Sequence, residues 1–184
     1  MSAGAARAST SSGLQSHFEL FGLSPGFALE CEALERSYRE IQSQVHPDRF
    51  AHAGDAERRA SLQWTTRVNE AYRTLKDPVQ RARHILELQG VDVAFETNTQ
   101  MPTDFLMQQL ELREELEGAL AARDAASLDR LRTTLAASKA ALETEVAEAI
   151  DGRQDFEGAA GLVRKLMFLD RLGGEIDAAY EEIE

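Results

Sequence analysis

The chain has 184 residues, 43% of them hydrophobic and 28% charged, and a net charge of −12. That size allows one domain or two small ones, and no uninterrupted apolar run reaches the length of about 18 residues that a membrane span needs. Residues 1–90 balance 11 acidic against 11 basic side chains, whereas residues 101–184 hold 19 acidic and 9 basic; the distal half therefore disfavours nucleic acid and suits a basic partner.

Residues 1–15 are rich in Ser and Ala, lack the apolar core of a secretory signal, and read as a disordered tail. Ser16 is placed to cap a short helix carrying His17, Phe18, Leu20 and Phe21 that ends near Gly22. Ser24-Pro25-Gly26 is a turn. A second helix is predicted from about Glu30 to Val45 and a third from about Asp55 to Leu75, with Asp55 as its cap. Leu34, Tyr38, Ile41 and Val45 on one, and Trp64, Val68, Ala71, Tyr72 and Leu75 on the other, repeat at three- and four-residue steps, so each set reads as a buried face. Pro47 lacks an N–H and restricts His46, which ends the second helix there. Pro78 suits the first turn of a fourth helix, which carries Val79, Ala82, Ile85 and Leu86 and stops near Gly90.

Residues 91–102 lack helical period and read as a connector. Beyond them the spacing predicts helices over about Thr103–Ala122, with Thr103 or Asp104 near the cap, about Asp124–Ile150, and about Asp155–Glu182, entered through Gly152. Short loops between them imply antiparallel neighbours in a three-helix bundle. No alternating strand pattern occurs. The expectation is an all-α chain: a tail (1–15), a helical-hairpin domain (16–90), a connector (91–102) and a three-helix bundle (103–184).

The single cysteine, Cys31, can form neither an internal disulfide nor a multi-thiolate zinc site. A reducing compartment, the cytoplasm, is expected, and Cys31 reads as a small, partly buried residue. His17, His52 and His84 have no partners at ligand spacing, and no Gly-rich phosphate loop precedes a helix; neither metal nor cofactor is expected. Gly173-Gly174 reads as a weak point in the last helix.

Two sites carry information. His46-Pro47-Asp48 lies between two amphipathic helices that hold its polar groups outward, the arrangement of a recognition loop. Asp48 can pair with a cation on a partner, and His46 offers a donor and an acceptor. Arg36 and Arg39 lie on the polar side of the second helix and Arg49 follows the loop, which makes them candidates for steering an acidic surface. An acid–base role for His46 and Asp48 is the weaker reading, because residues flanking a proline point apart.

The second site lies on the first distal helix. At about 100° per residue, Phe105, Leu112, Leu116 and Ala119 fall within about 40° of one direction, a core stripe. Leu106, Met107 and Leu110 form a second apolar group beside Glu111 and Glu114. On the last helix Leu162, Val163, Leu166 and Leu169 cluster, with Phe168 roughly opposite, next to Arg164 and Arg171. Apolar residues rimmed by charge have the anatomy of a protein-binding patch.

The Tyr38-bearing helix, His46-Pro47-Asp48, Asn69-Glu70-Ala71-Tyr72-Arg73-Thr74-Leu75 and Asp77-Pro78 resemble the J domain of DnaJ-type co-chaperones. The run from Phe105-Leu106-Met107 through Leu110-Glu111-Leu112-Arg113-Glu114-Glu115-Leu116 resembles the C-terminal domain of the HscB family, co-chaperones of iron–sulfur cluster assembly. So do Val163-Arg164-Lys165-Leu166, Phe168-Leu169-Asp170 and, near the start, His17-Phe18-Glu19-Leu20-Phe21-Gly22-Leu23. The resemblance covers about residues 16–184. It implies no enzyme but a protein that stimulates the ATPase of a DnaK/HscA-type chaperone and delivers the scaffold IscU to it. His46, Pro47 and Asp48, with Arg36, Arg39 and Arg49, would face the chaperone. Leu106, Met107, Leu110, Glu111, Glu114 and Phe168 would face the scaffold. Animal members carry an N-terminal zinc module with paired cysteines, which this sequence lacks; that favours a bacterial-type member. A J protein with a different client is the alternative.

Overall fold

The structure, a computed structural model, describes residues 16–45, 49, 54–93 and 101–183. The tail and the tripeptide His46-Pro47-Asp48 lie outside the described residues, as do Phe50, His52 and most of the connector. Every regular element among the described residues is helical. They are α1 (His17–Leu20), α2 (Cys31–Val45), α3 (Asp55–Lys76), α4 (Pro78–Leu88), α5 (Thr103–Ala122), α6 (Ala125–Ala147) and α7 (Phe156–Ile183).

The caps are local chemistry. Ser16 and Glu19 form a capping box, in which the Glu19 N–H donates to the Ser16 hydroxyl at 3.2 Å and the Ser16 N–H to the Glu19 carboxylate at 2.9 Å. Asp77 caps α4 by accepting from the Gln80 N–H, with Pro78 at the first helical position. Asp124 caps α6 through the Ala126 and Ser127 N–H groups. On α5 neither Thr103 nor Asp104 caps: Pro102 takes that place without a side-chain bond, its carbonyl accepting from Leu106.

The chain divides into two compact units. The first comprises Met1–Pro25 and Cys31–Leu75, and contains α1, α2 and α3. In it α2 and α3 are antiparallel: Tyr38 meets Asn69 and Tyr72, while Val45 meets Ser61 and Thr65. Leu34, Ser61, Val68, Ala71 and Leu75 are buried. Trp64 does not share that face and is 42% exposed, flanking the contact with Arg67 5.5 Å from its ring centroid. The small Ser61 occupies the buried position nearest the end of α2, because its hydroxyl bonds the Val45 carbonyl there. Cys31, the first residue of α2, is exposed and not partly buried.

The second unit comprises Gly26–Glu30 and Lys76–Glu184. It takes in α4, which the sequence pattern groups with the hairpin; the buried face of α4 (Val79, Ala82, Ile85, Leu86) accompanies its contacts with α7. Helices α5, α6 and α7 pack pairwise. Contacts between Lys139 and Asp170 and between Asp129 and Tyr180 make α6 and α7 antiparallel. Phe105 against Phe168 and Arg113 against Glu175 make α5 and α7 parallel, so the bundle runs up, down, up. Its core is Phe105, Leu116, Leu128, Leu131, Leu135, Leu169, Leu172 and Ile176. Helix α6 ends in one wider π turn, Glu148–Gly152, that buries Ala149 and Ile150. The Asp151 carboxylate there accepts the N–H groups of Phe27 and Ala28 at 2.8 and 2.7 Å.

Candidate functional site

In the first unit, Tyr38 and Tyr72 stack at 4.0 Å between centroids, and the Tyr38 hydroxyl donates to Asn69 Oδ1 at 2.9 Å while accepting from Gln42. These bonds join α2 to α3 midway along α2. Arg36 and Arg39 project from α2 into solvent, each beside a glutamate one turn earlier, Glu32 at 3.6 Å and Glu35 at 3.1 Å. Such exposed pairs are worth little and part readily for a more demanding partner. Arg49 is exposed, but its guanidinium donates to the Ser43 carbonyl at 3.0 Å, so it also closes the end of α2.

That end carries further closures. The Val45 carbonyl accepts from the Ser61 hydroxyl at 2.7 Å and from the Thr65 hydroxyl at 3.2 Å. Beside it a surface notch of about 180 Å³ is lined by Val45, Glu57, Ala60, Ser61 and Trp64.

In the second unit, Leu106, Met107 and Leu110 stand on the outer face of α5, exposed by 44%, 58% and 59%. They lie at three- and four-residue steps, so they form one ridge. Glu111 and Glu114 are exposed alongside. Phe168 stands apart: it is partly buried and packs against the bundle core. Its edge meets the Phe105 ring, with the Lys165 ammonium 5.7 Å from the Phe105 centroid.

Sequence reasoning passed over Gln109, which is 4% exposed on the inner face of α5 and has no hydrogen-bond partner for its Oε1 among the described residues. Its position four residues after Phe105 puts it on the core stripe, and that spacing was the available signal. Two groups whose acidity is shifted, Asp124 and Tyr180, lie away from the predicted site residues. Asp124 is held below the ordinary carboxylate value by the Ser127 hydroxyl and then by the Ser127 N–H. Tyr180 is raised by desolvation and then by its bond to Asp129. No three His, Cys, Asp or Glu side chains gather to hold a metal among the described residues, and none of the helices there is long and apolar enough to cross a membrane.

A family model described as the HSCB C-terminal oligomerisation domain matches residues 101–177. A relative from Burkholderia thailandensis, described as a co-chaperone protein HscB homolog, is 50% identical over 169 residues, 92% of this chain and 96% of its own length. Among solved structures, the chaperone HscB from Vibrio cholerae superposes with a TM-score of 0.80 at 34% identity, covering 92% of this chain and 100% of that one. The human co-chaperone protein HscB gives a TM-score of 0.83 at 26% identity, covering 89% and 81%.

Proposed function

This chain belongs to the HscB family of co-chaperones, and on that premise we propose that it stimulates the ATPase of a DnaK/HscA-type chaperone and delivers an IscU-type iron–sulfur scaffold to it. Cluster release to acceptor proteins follows from the hydrolysis that it triggers. Residues 16–90 face the chaperone, through His46, Pro47 and Asp48, with Arg36, Arg39 and Arg49 steering. Residues 103–184, joined through 91–102, hold the scaffold. The chain itself carries out no reaction, and the proposed compartment is the cytoplasm.

The observation that carries this reading is the ridge of Leu106, Met107 and Leu110. A helix with a filled core stripe gains nothing within its own bundle from three more exposed apolar side chains. Covered by a partner, they contribute roughly 3 kcal/mol before association costs. Glu111 and Glu114 beside them match a partner with basic groups, as does the acidic balance of the distal half. Phe168 supports the ridge through Phe105 and offers its remaining exposed surface.

Two measurements test the proposal. Calorimetric titration with an IscU-type scaffold shows saturable binding that Leu106→Ala with Leu110→Ala weakens. Steady-state phosphate release by an HscA-type chaperone rises on addition of the chain and stays at the basal rate with His46→Gln. Absence of scaffold binding, with phosphate release still stimulated, points to a J protein serving a different client.

A further inference from the structure

We infer that Ser61 and Thr65 of α3 are positioning residues for the chaperone-facing tripeptide, acting by holding the peptide bond from which it starts. The inference rests on the role proposed above for His46-Pro47-Asp48.

A helix leaves its last four carbonyls without partners inside the helix. The usual remedy is a residue just past the end whose N–H donates back, and Pro47 has none to give. Among the described residues, two of the last carbonyls of α2 accept from outside the helix. Ser43 O accepts from Arg49, and Val45 O accepts from both Ser61 and Thr65.

The direction of these two hydroxyls is informative. Several other helical hydroxyls bond within their own helix: Thr66 to Leu62 O, Thr133 to Asp129 O, Ser138 to Thr134 O and Thr144 to Ala140 O four residues earlier, and Ser43 to Glu40 O three residues earlier. Ser61 and Thr65, one turn apart on α3, reach across to α2 and converge on a single oxygen. Ser61 does so at 5% exposure, beside the apolar walls of Ala60 and Trp64. A buried hydroxyl is tolerated there because it is bonded.

Val45 O belongs to the peptide that continues into His46. A peptide unit is planar, so two bonds to that oxygen restrain rotation of the peptide that leads out of Val45. Pro47 then narrows the conformations open to His46. Helix α3 thus sets the starting direction of the tripeptide through two hydroxyls, without either one touching the chaperone.

The test uses the full chain with Ser61→Ala and Thr65→Val combined, Thr65→Ser alone, and Val68→Ala as a control that removes buried methyls from α3 but leaves Val45 O untouched. Amide exchange at Gln44 and Val45 reads the end of α2. In the double variant it accelerates on the order of tenfold, the factor that one or two net hydrogen bonds supply. Maximal stimulated phosphate release, measured well below the melting temperature, falls by a similar factor. Thr65→Ser keeps its hydroxyl and stays within about twofold of the unmodified chain in both readouts. Val68→Ala lowers the melting temperature and moves neither. Unchanged exchange in the double variant overturns the inference, as does faster exchange with full stimulation, or equal loss of stimulation in Val68→Ala. An unmodified chain that fails to stimulate brings down the functional reading separately, and amide exchange still decides whether the hydroxyls hold Val45.

Discussion

The ring of Phe168 on α7 meets the ring of Phe105 on α5 edge-on, with centroids 6.4 Å apart and planes at 75°. This pair divides the apolar residues that the sequence pattern assigns to one patch. Phe105 is buried in the bundle, Phe168 leans on it, and Leu106, Met107 and Leu110 remain outside. Phe168→Ala is therefore expected to lower unfolding free energy by about 1–3 kcal/mol, through lost ring contact and a partial cavity. Leu106, Met107 and Leu110 changed together to Ala should cost no more than about 1 kcal/mol. Urea denaturation of both variants decides the matter. Equal losses would mean that the ridge is core.

Asp151 is expected to anchor the Gly26–Glu30 segment within the second unit. It satisfies two backbone N–H groups, one of them on the buried Phe27. Asp151→Ala strands the Phe27 donor and should cost about 1–2 kcal/mol, with Asp151→Asn losing less because an amide oxygen can still accept. The midpoint of urea unfolding, at unchanged slope, measures it. A midpoint identical to that of the unmodified chain refutes the anchor.

The cap of α6 carries a pH dependence whose sign is settled by its direction. Asp124 is held below 3.8 in the folded chain, first by the Ser127 hydroxyl. The folded state thus binds fewer protons than the unfolded one. The stabilisation is complete above the unfolded value and is lost as pH falls through the folded value. Asp124→Ala should melt at a lower temperature than the unmodified chain at neutral pH, and the gap should narrow as pH falls below the ordinary carboxylate value. A gap that stays constant as the solution is acidified through that range is the contrary result.

Gly174 lies inside the continuous helix α7, where an added Cβ meets nothing within 4 Å. Gly174→Ala should raise stability by about 0.5–1 kcal/mol, because alanine restricts the unfolded chain and strains nothing here. Thermal melting reads the gain. A lower melting temperature would reveal a packing or hinge role that the surroundings of Gly174 do not suggest.

The amino-acid sequence by itself determined the helices, to within a few residues at each end. Their signals are local: Ser16 with Glu19, Asp77 with Pro78, and apolar residues at three- and four-residue steps. The exposed ridge on α5 was also legible, because one stripe fills a bundle face and Leu106, Met107 and Leu110 lie off that stripe. Only the tertiary structure decided what covers each remaining face. Trp64 has the spacing of a buried residue, yet Ser61 takes the place against the end of α2. Phe168 has the spacing of an outward residue, yet Phe105 receives its edge. Helix α4 follows α3 in the chain but packs with α7, and a carboxylate at position 151 is met by a backbone more than a hundred residues earlier. Periodicity records the direction in which a side chain leaves its helix. Which neighbour it meets depends on contacts between segments far apart in the chain, and no local spacing encodes those.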